Sequence, residues 1–441
     1  MRLIKFIAAF LIPAVLVFLI AFGWNWKSTK LFFDNRESMA EGSEWVDKTY
    51  SLSGLAQYIE QNPENVSFAS FVQGDEDAAL AYHASERRTM GVMGNIFLMI
   101  GVAEMIADGM WELDEQIPFR EFDRYQLPDV SESSHSRANM LAEERGWVIN
   151  GSVSLGNSML LLAESGSLAI ADYLWWRLGS DYFEDLSKRL MLEETDMPLP
   201  FSGIYLMISP EIEARSAINS ASEHSDLERN RTLYEWLDLE RQDGNKLWRS
   251  QVELISKKLL DDEFRSYAEE RLDREGLGLR FTEMRDALAL FPQTTAREVT
   301  DLLRRFAEVE EKQHQTDSLD EDNRNLSSTI DHDSGIRSDV GSQVLYWLRW
   351  PMVNHESAKL HFSDYGALYD DRMGLLNGLD IGTSKYTGKT KIQAVFFDRL
   401  EIAFWFHMSS NHMHQDFQQR MNYDPAMIGR LERFVKPANV H

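Results

Sequence analysis

The chain has 441 residues, 44% hydrophobic and 26% charged, with a formal net charge of −26 and no cysteine. That length supports one large domain or two. The acidic balance argues against nucleic acid and against charge-driven binding to anionic lipid, and the lack of cysteine excludes disulfides and thiolate zinc sites.

The first thirty residues read as an address. Arg2 and Lys5 precede an apolar run from Phe6 to Trp24. A run of about 20 apolar residues spans a bilayer, Trp24 and Trp26 fall where interfacial aromatics sit, and Pro13 is tolerated in such a helix. No small-residue cleavage site follows, so residues 1–30 read as an uncleaved anchor rather than a removed signal. Lys and Arg are nearly balanced on its two sides. The preferred placement is a single pass through a bacterial-type inner membrane with the body outside the cytoplasm, in the periplasm.

Beyond the anchor, Ser51 to Gln61 predicts a helix. "VSFASFVQ" and "AALAYHA", joined by "GDED", predict a β-hairpin. A long apolar helix follows from Val92 to Asp108, ended by Gly109, with its methionines read as core packing. "SMLLLAESGSLAIADYLWWRLG" predicts a buried helical stretch, with Trp175 and Trp176 in the core. Residues 210–290 predict a charged helical insertion, and "TTAREVTDLLRRF" a helix with a Thr cap and Glu298 in its first turn. Gln313 to Asp339 is polar, acidic and free of aromatics, and reads as a linker. The end of the chain predicts a second hairpin, "KIQAVFFD" then "EIAFWFHM", and a last helix from Asp424 to Val435. Two β pairs at opposite ends of the sequence imply an α+β fold, one antiparallel sheet flanked by helices.

That order resembles the serine β-lactamase and penicillin-binding transpeptidase family. Local stretches carry the resemblance: "RRTMGVMGNIFLMIGVAEMIADGMWELDEQI" for the catalytic-helix region, "IADYLWWRLG" for the helix after the Ser-Asp-Asn loop, "FPQTTAREVTDLLRRF" for a Thr-Thr-initiated helix, and "YTGKTKIQAVFFD" for the Lys-Thr-Gly strand. It covers about Ser51 to Val435, with 210–290 and 313–339 as extra material.

The resemblance also shows what is missing. Counting back from Asp108-Gly109 puts the family's nucleophilic serine at Val92 and its lysine base at Asn95. Valine cannot attack an acyl carbon, and asparagine cannot act as a base. The Ser-Asp-Asn loop falls at Gly166-Ser167-Leu168, where Ser165 or Ser167 can hold the hydroxyl position. The Lys-Thr-Gly segment falls at Lys389-Thr390-Lys391. Strand residues i and i+2 share a side, so Lys389 and Lys391 are expected to floor a cleft that holds a carboxylate, such as a peptide C-terminus or a peptidoglycan-like ligand, beside Thr390. The alternative for these lysines is a solvated strand edge. The same segment is no phosphate loop: five residues rather than four separate Gly382 from Gly388, and a strand-like run follows. Glu193, Glu194 and Glu211 are weaker candidates for the family's loop glutamate. His407, His412 and His414 read as surface histidines, and neither a metal nor a cofactor is called for.

Three functions remain after this reading. The first is a membrane-anchored, catalytically degenerate binding protein of the cell envelope. The second is a serine hydrolase with a shifted nucleophile, Ser165 or Ser167. The third is a tethered interaction protein that works through residues 210–290.

Overall fold

The computed structural model describes residues 38–433 and 435, except 211, 213–231, 244–245, 320–329, 332–335 and 352–355. The anchor run and Glu211 lie outside the described residues. Among those described, no helix is long and apolar enough to cross a membrane.

The fold is α+β. Its sheet is built from β1 (Val66–Val72), β2 (Asp75–Tyr82), β3 (Phe362–Asp370), β4 (Leu376–Ser384) and β5 (Thr390–Phe397), in the spatial order β2-β1-β5-β4-β3. Each pairing among them is antiparallel. The two ends of the chain therefore close one sheet, as the β-rich runs imply, with β1 paired to β5 from Val66↔Phe397 to Val72↔Lys391. The predicted first hairpin is β1–β2.

The second predicted hairpin is corrected. "KIQAVFFD" is β5, but "EIAFWFHM" is a helix, Ile402–Ser410. The partner of β5 is instead β4, which the sequence reading missed together with β3. With β1 and β4 on its two sides, β5 has no free edge for a further strand. A short apolar run then follows the helical period by default, because its periodicity alone does not separate strand from helix.

Helices cover both faces of the sheet. On one side lie α1 (Asn95–Ala107), α2 (Leu155–Ser165), α3 (Leu168–Leu178), α4 (Ala296–Leu319) and α5 (Ser338–Arg349). Their apolar residues join the inner face of the sheet in one large core that includes Ile96, Leu161, Leu174, Leu303, Ile381 and Ala394. The other face packs Phe68, Val395 and Phe397 against Phe404, Phe417 and Met421 in a second core. Alternation along β1 and β5 divides their side chains between the two cores.

Three local features differ from the sequence reading. The stretch from Ser158 to Gly179 is two helices, α2 and α3, broken where Gly166 takes a left-handed φ of 61° and Ser167 caps α3. Helix α4 runs on through Leu319, into the stretch read as a linker. His407 and His414 are buried rather than on the surface, at 5% and 2% exposure.

Candidate functional site

Val92 lies in a single 3-10 turn, Gly91–Gly94, that leads into α1. Gly91 opens the turn with φ +58°, and a Cβ there would run into Asp370 Oδ2, so only glycine fits. Asp370 ends β3. Its Oδ2 accepts the Val92 N–H at 2.7 Å.

Arg372 closes the arrangement. Its Nε donates to Asp370 Oδ1 at 2.9 Å and to Oδ2 at 3.1 Å, and its outer nitrogen also reaches Oδ2. The guanidinium lies over the Phe201 ring, 4.8 Å from its centroid, with Tyr205 OH at 3.4 Å. Burial alone would push the Asp370 carboxyl up, but Arg372 and the Val92 amide hold it below the usual range. Burial also opposes the Arg372 charge, and Asp370 more than offsets that. The Val92 amide is therefore occupied by an internal, paired carboxylate.

Asn95 is one helical turn on and fully buried, and neither its Oδ1 nor its Nδ2 has a hydrogen-bond partner among the described residues. Gly166 approaches Val92 from the other side: a Cβ added at Gly166 would lie 3.4 Å from Val92 Cγ1. The structure thus brings Gly166 up to Val92, with Asn95 one turn further along the chain. It adds Asp370 and Arg372, which sequence reasoning missed. Their only signal was "YDDRM", a charged cluster just after an apolar strand.

Ser165 and Ser167 part company here. Ser165 Oγ donates back to Leu161 O at 2.7 Å, a local helix-terminal bond. Ser167 has no exposed surface. Its Oγ accepts the Ile170 N–H at 3.4 Å and lies 3.3 Å from His135 Nδ1. His135 is also buried, and its Nε2 is 2.9 Å from Asp123 Oδ1. A neutral ring donating from Nε2 to Asp123 leaves Nδ1 to accept the Ser167 hydroxyl proton. The Ser–His–Asp order is that of an activated nucleophile. Asp123 faces solvent, but the hydroxyl that would attack does not. Ser167→Ala is expected to cost about 1 kcal/mol, the usual worth of a helix cap; urea unfolding of the variant beside the parent checks this.

Lys389, Thr390 and Lys391 are not part of this site. Thr390 and Lys391 begin β5 and Lys389 just precedes it; that strand is enclosed between β1 and β4, whereas Asp370, which holds the Val92 turn, ends β3. Val92 and Thr89 sit by the Phe397 end of the sheet, where Asn377 (opposite Phe396) donates to Thr89 O. Lys391 pairs six residues away along the strand, roughly 20 Å at 3.3 Å per residue. Lys389 Nζ lies 3.3 Å from Asp75, Thr390 Oγ1 is 2.9 Å from Thr383 Oγ1, and Lys391 Nζ donates to Met421 O at 3.0 Å. The two lysines thus do not floor a cleft shared with Val92. Burial lowers Lys391 to about 8 against the pull of Asp380. Glu193 and Glu194 lie instead beside the N-terminus of α4, where Glu298 accepts both of their backbone N–H groups. Among the described residues no group of His, Asp or Glu is arranged to hold a metal ion.

No family model matches the chain. No curated protein matches it either. Solved structures do align with it. A β-lactamase from Chitinophaga pinensis is 12% identical over 85% of this chain and 99% of its own, with a TM-score of 0.43. A β-lactamase from Sphaerobacter thermophilus is 11% identical over 85% and 99%, with a TM-score of 0.45. PBP-A, solved as an acyl-enzyme complex with penicillin G, is 10% identical over 84% and 97%, with a TM-score of 0.41. The likeness is one of fold.

Proposed function

We propose that the chain is a binding protein of the cell envelope on a serine β-lactamase/transpeptidase-like fold, without acyl-transfer chemistry. The observation that carries this reading is the Asp370 carboxylate on the Val92 N–H, where the nucleophile position holds a valine. An acyl-transfer site needs a nucleophile and free donors for the developing oxyanion. Here the side chain offers no lone pair, the base position is Asn95, and the amide is already bonded to an anion. An incoming oxyanion would have to displace a buried carboxylate that Arg372 holds in place. The apolar run Phe6–Trp24 supports a membrane anchor with the body in the periplasm, and the charge of −26 supports partners other than nucleic acid.

A second reading is favoured by one observation, the Ser167–His135–Asp123 array. It makes the chain a serine hydrolase whose nucleophile is covered in this structure. The two readings separate in one assay. The full chain in detergent is given a chromogenic ester and a chromogenic β-lactam. The binding-protein reading expects no turnover above a heat-denatured sample. Turnover that disappears in Ser167→Ala and in His135→Ala would establish the hydrolase instead.

A further inference from the structure

A cavity of about 680 Å³ opens between the β1–β2 turn, residues 191–194 and the N-terminal turns of α4. It lies away from the Val92 turn, at the Lys389 end of the sheet: Asp75 lines it and also contacts Lys389. Phe71 and Met191 supply apolar wall, and Met191 is 67% exposed.

The charged groups around this cavity divide into committed and free. Glu298 is committed: it accepts the Glu193 N–H at 2.7 Å, the Glu194 N–H at 3.1 Å and the Thr195 hydroxyl. Arg304 is committed to Asp301 and Glu308. Arg297 is not. Its backbone N–H donates to Ala84 O, but its guanidinium has no hydrogen bond or ion pair among the described residues, and its Nε is buried without a partner. The Glu193 and Glu194 carboxylates line the same space and are equally without partners among the described residues. Glu298 holds their backbone still, so these carboxylates are presented on a fixed segment.

The Arg297 guanidinium is a cation with no counter-ion among the described residues, and its outer nitrogens, unlike Nε, are not among the buried unpartnered atoms, so a ligand carboxylate can pair with them. A simple anion would meet Arg297 but also the surrounding carboxylates. A simple cation would meet Glu193 and Glu194 but leave Arg297 orphaned. A molecule with both charges satisfies all three groups, and the volume suits a ligand of a few residues. We propose that this cavity binds a small zwitterion with an apolar body, an amino acid or short peptide. Its carboxylate sits on Arg297, its ammonium on Glu193 and Glu194, and its side chains on Phe71 and Met191. The proposal rests on the binding-protein reading above and gives it a ligand class. It also moves the carboxylate anchor from Lys389, which the sequence suggests, to Arg297, while Lys389 pairs with Asp75 of the cavity wall.

The test is calorimetric titration of the full chain in detergent with leucyl-leucine, its N-acetyl form and its C-terminal amide. Leucyl-leucine is expected to bind saturably, and loss of either charge to weaken binding by about tenfold or more. Arg297→Gln is expected to do the same for leucyl-leucine, as is the double change Glu193→Gln with Glu194→Gln, which leaves α4 untouched. Equal affinity for the three peptides, or no saturable heat at millimolar peptide, overturns the proposal. The blocked peptides decide it on the unmutated protein, so a poorly folded variant does not obscure the result. Absent peptide binding in a protein that also lacks turnover removes this cavity's role alone, whereas turnover through Ser167 removes the underlying reading.

Discussion

Arg372→Ala is expected to destabilise the protein by about 3–5 kcal/mol, the range for breaking a buried ion pair by removing one partner. Asp370 is 2% exposed and its partner guanidinium is largely enclosed by Phe201 and Tyr205. Truncating Arg372 leaves a carboxylate in the core with only backbone N–H groups to satisfy it. The paired change, Asp370→Asn with Arg372→Met, is expected to recover most of the loss, because no lone charge then remains buried. Guanidinium chloride unfolding of the three proteins reads both numbers. A loss below about 1 kcal/mol for Arg372→Ala would mean that the pair behaves as an exposed one. The sign with pH follows from Asp370 lying below the ordinary carboxylate range. Its contribution is present above the unfolded value of about 3.9 and is lost as pH falls through the depressed folded value.

Asp172 should show the opposite dependence. It lies in α3, is 1% exposed, and accepts the Phe201 N–H at 2.6 Å and the Ser202 N–H at 2.7 Å at the start of the helix Phe201–Ile208. Those two bonds favour the carboxylate, but burial dominates and raises the group to about 7. An acid raised on folding is most favourable to the fold below its unfolded value, where both states are protonated. Its contribution then declines as pH rises from about 4 to about 7 and is flat above that. Asp172→Asn removes this titration while keeping the size, so the stability of the parent relative to the variant should fall across that window. Asp380, also raised to about 7, titrates in both proteins and cancels from the comparison. Asp172→Ala is a harsher change. It orphans two buried helix-start N–H groups, at about 1–3 kcal/mol each. A difference between parent and Asn variant that stays constant from pH 4 to pH 7 would place the Asp172 titration outside this window.

The closure of one sheet by both ends of the chain was visible, because β1 and β5 are β-branched and aromatic runs bounded by turn residues. Strand β3, "FSDYGALYD", was not visible: Tyr365, Tyr369, Asp364 and Asp370 give it the polarity of a loop. Tyr365 and Tyr369 bond each other, and Tyr365 also reaches Asp380 on the neighbouring strand β4, so these polar atoms are satisfied inside the fold, by a pairing that residue type alone does not reveal. Missing β3 and β4 then displaced the Lys389 assignment, since a lysine-threonine pair was placed beside Val92 without the intervening strands. Val92 and Gly166, placed by counting back from Gly109 and Gly179, do meet in space, because such spacing survives in helices of fixed rise. Asp370 acts through a partner far away in sequence, 278 residues from Val92. Pairings of that kind are set by topology and leave no local pattern.

The central claim is that no serine of this chain forms an acyl-enzyme. It is tested most directly by intact-mass spectrometry of the full chain after incubation with a reactive penicillin, beside a penicillin-binding control protein. The account predicts an unchanged mass for this chain and an adduct for the control. A stable penicilloyl adduct that maps to one serine, Ser167 above all, would contradict it.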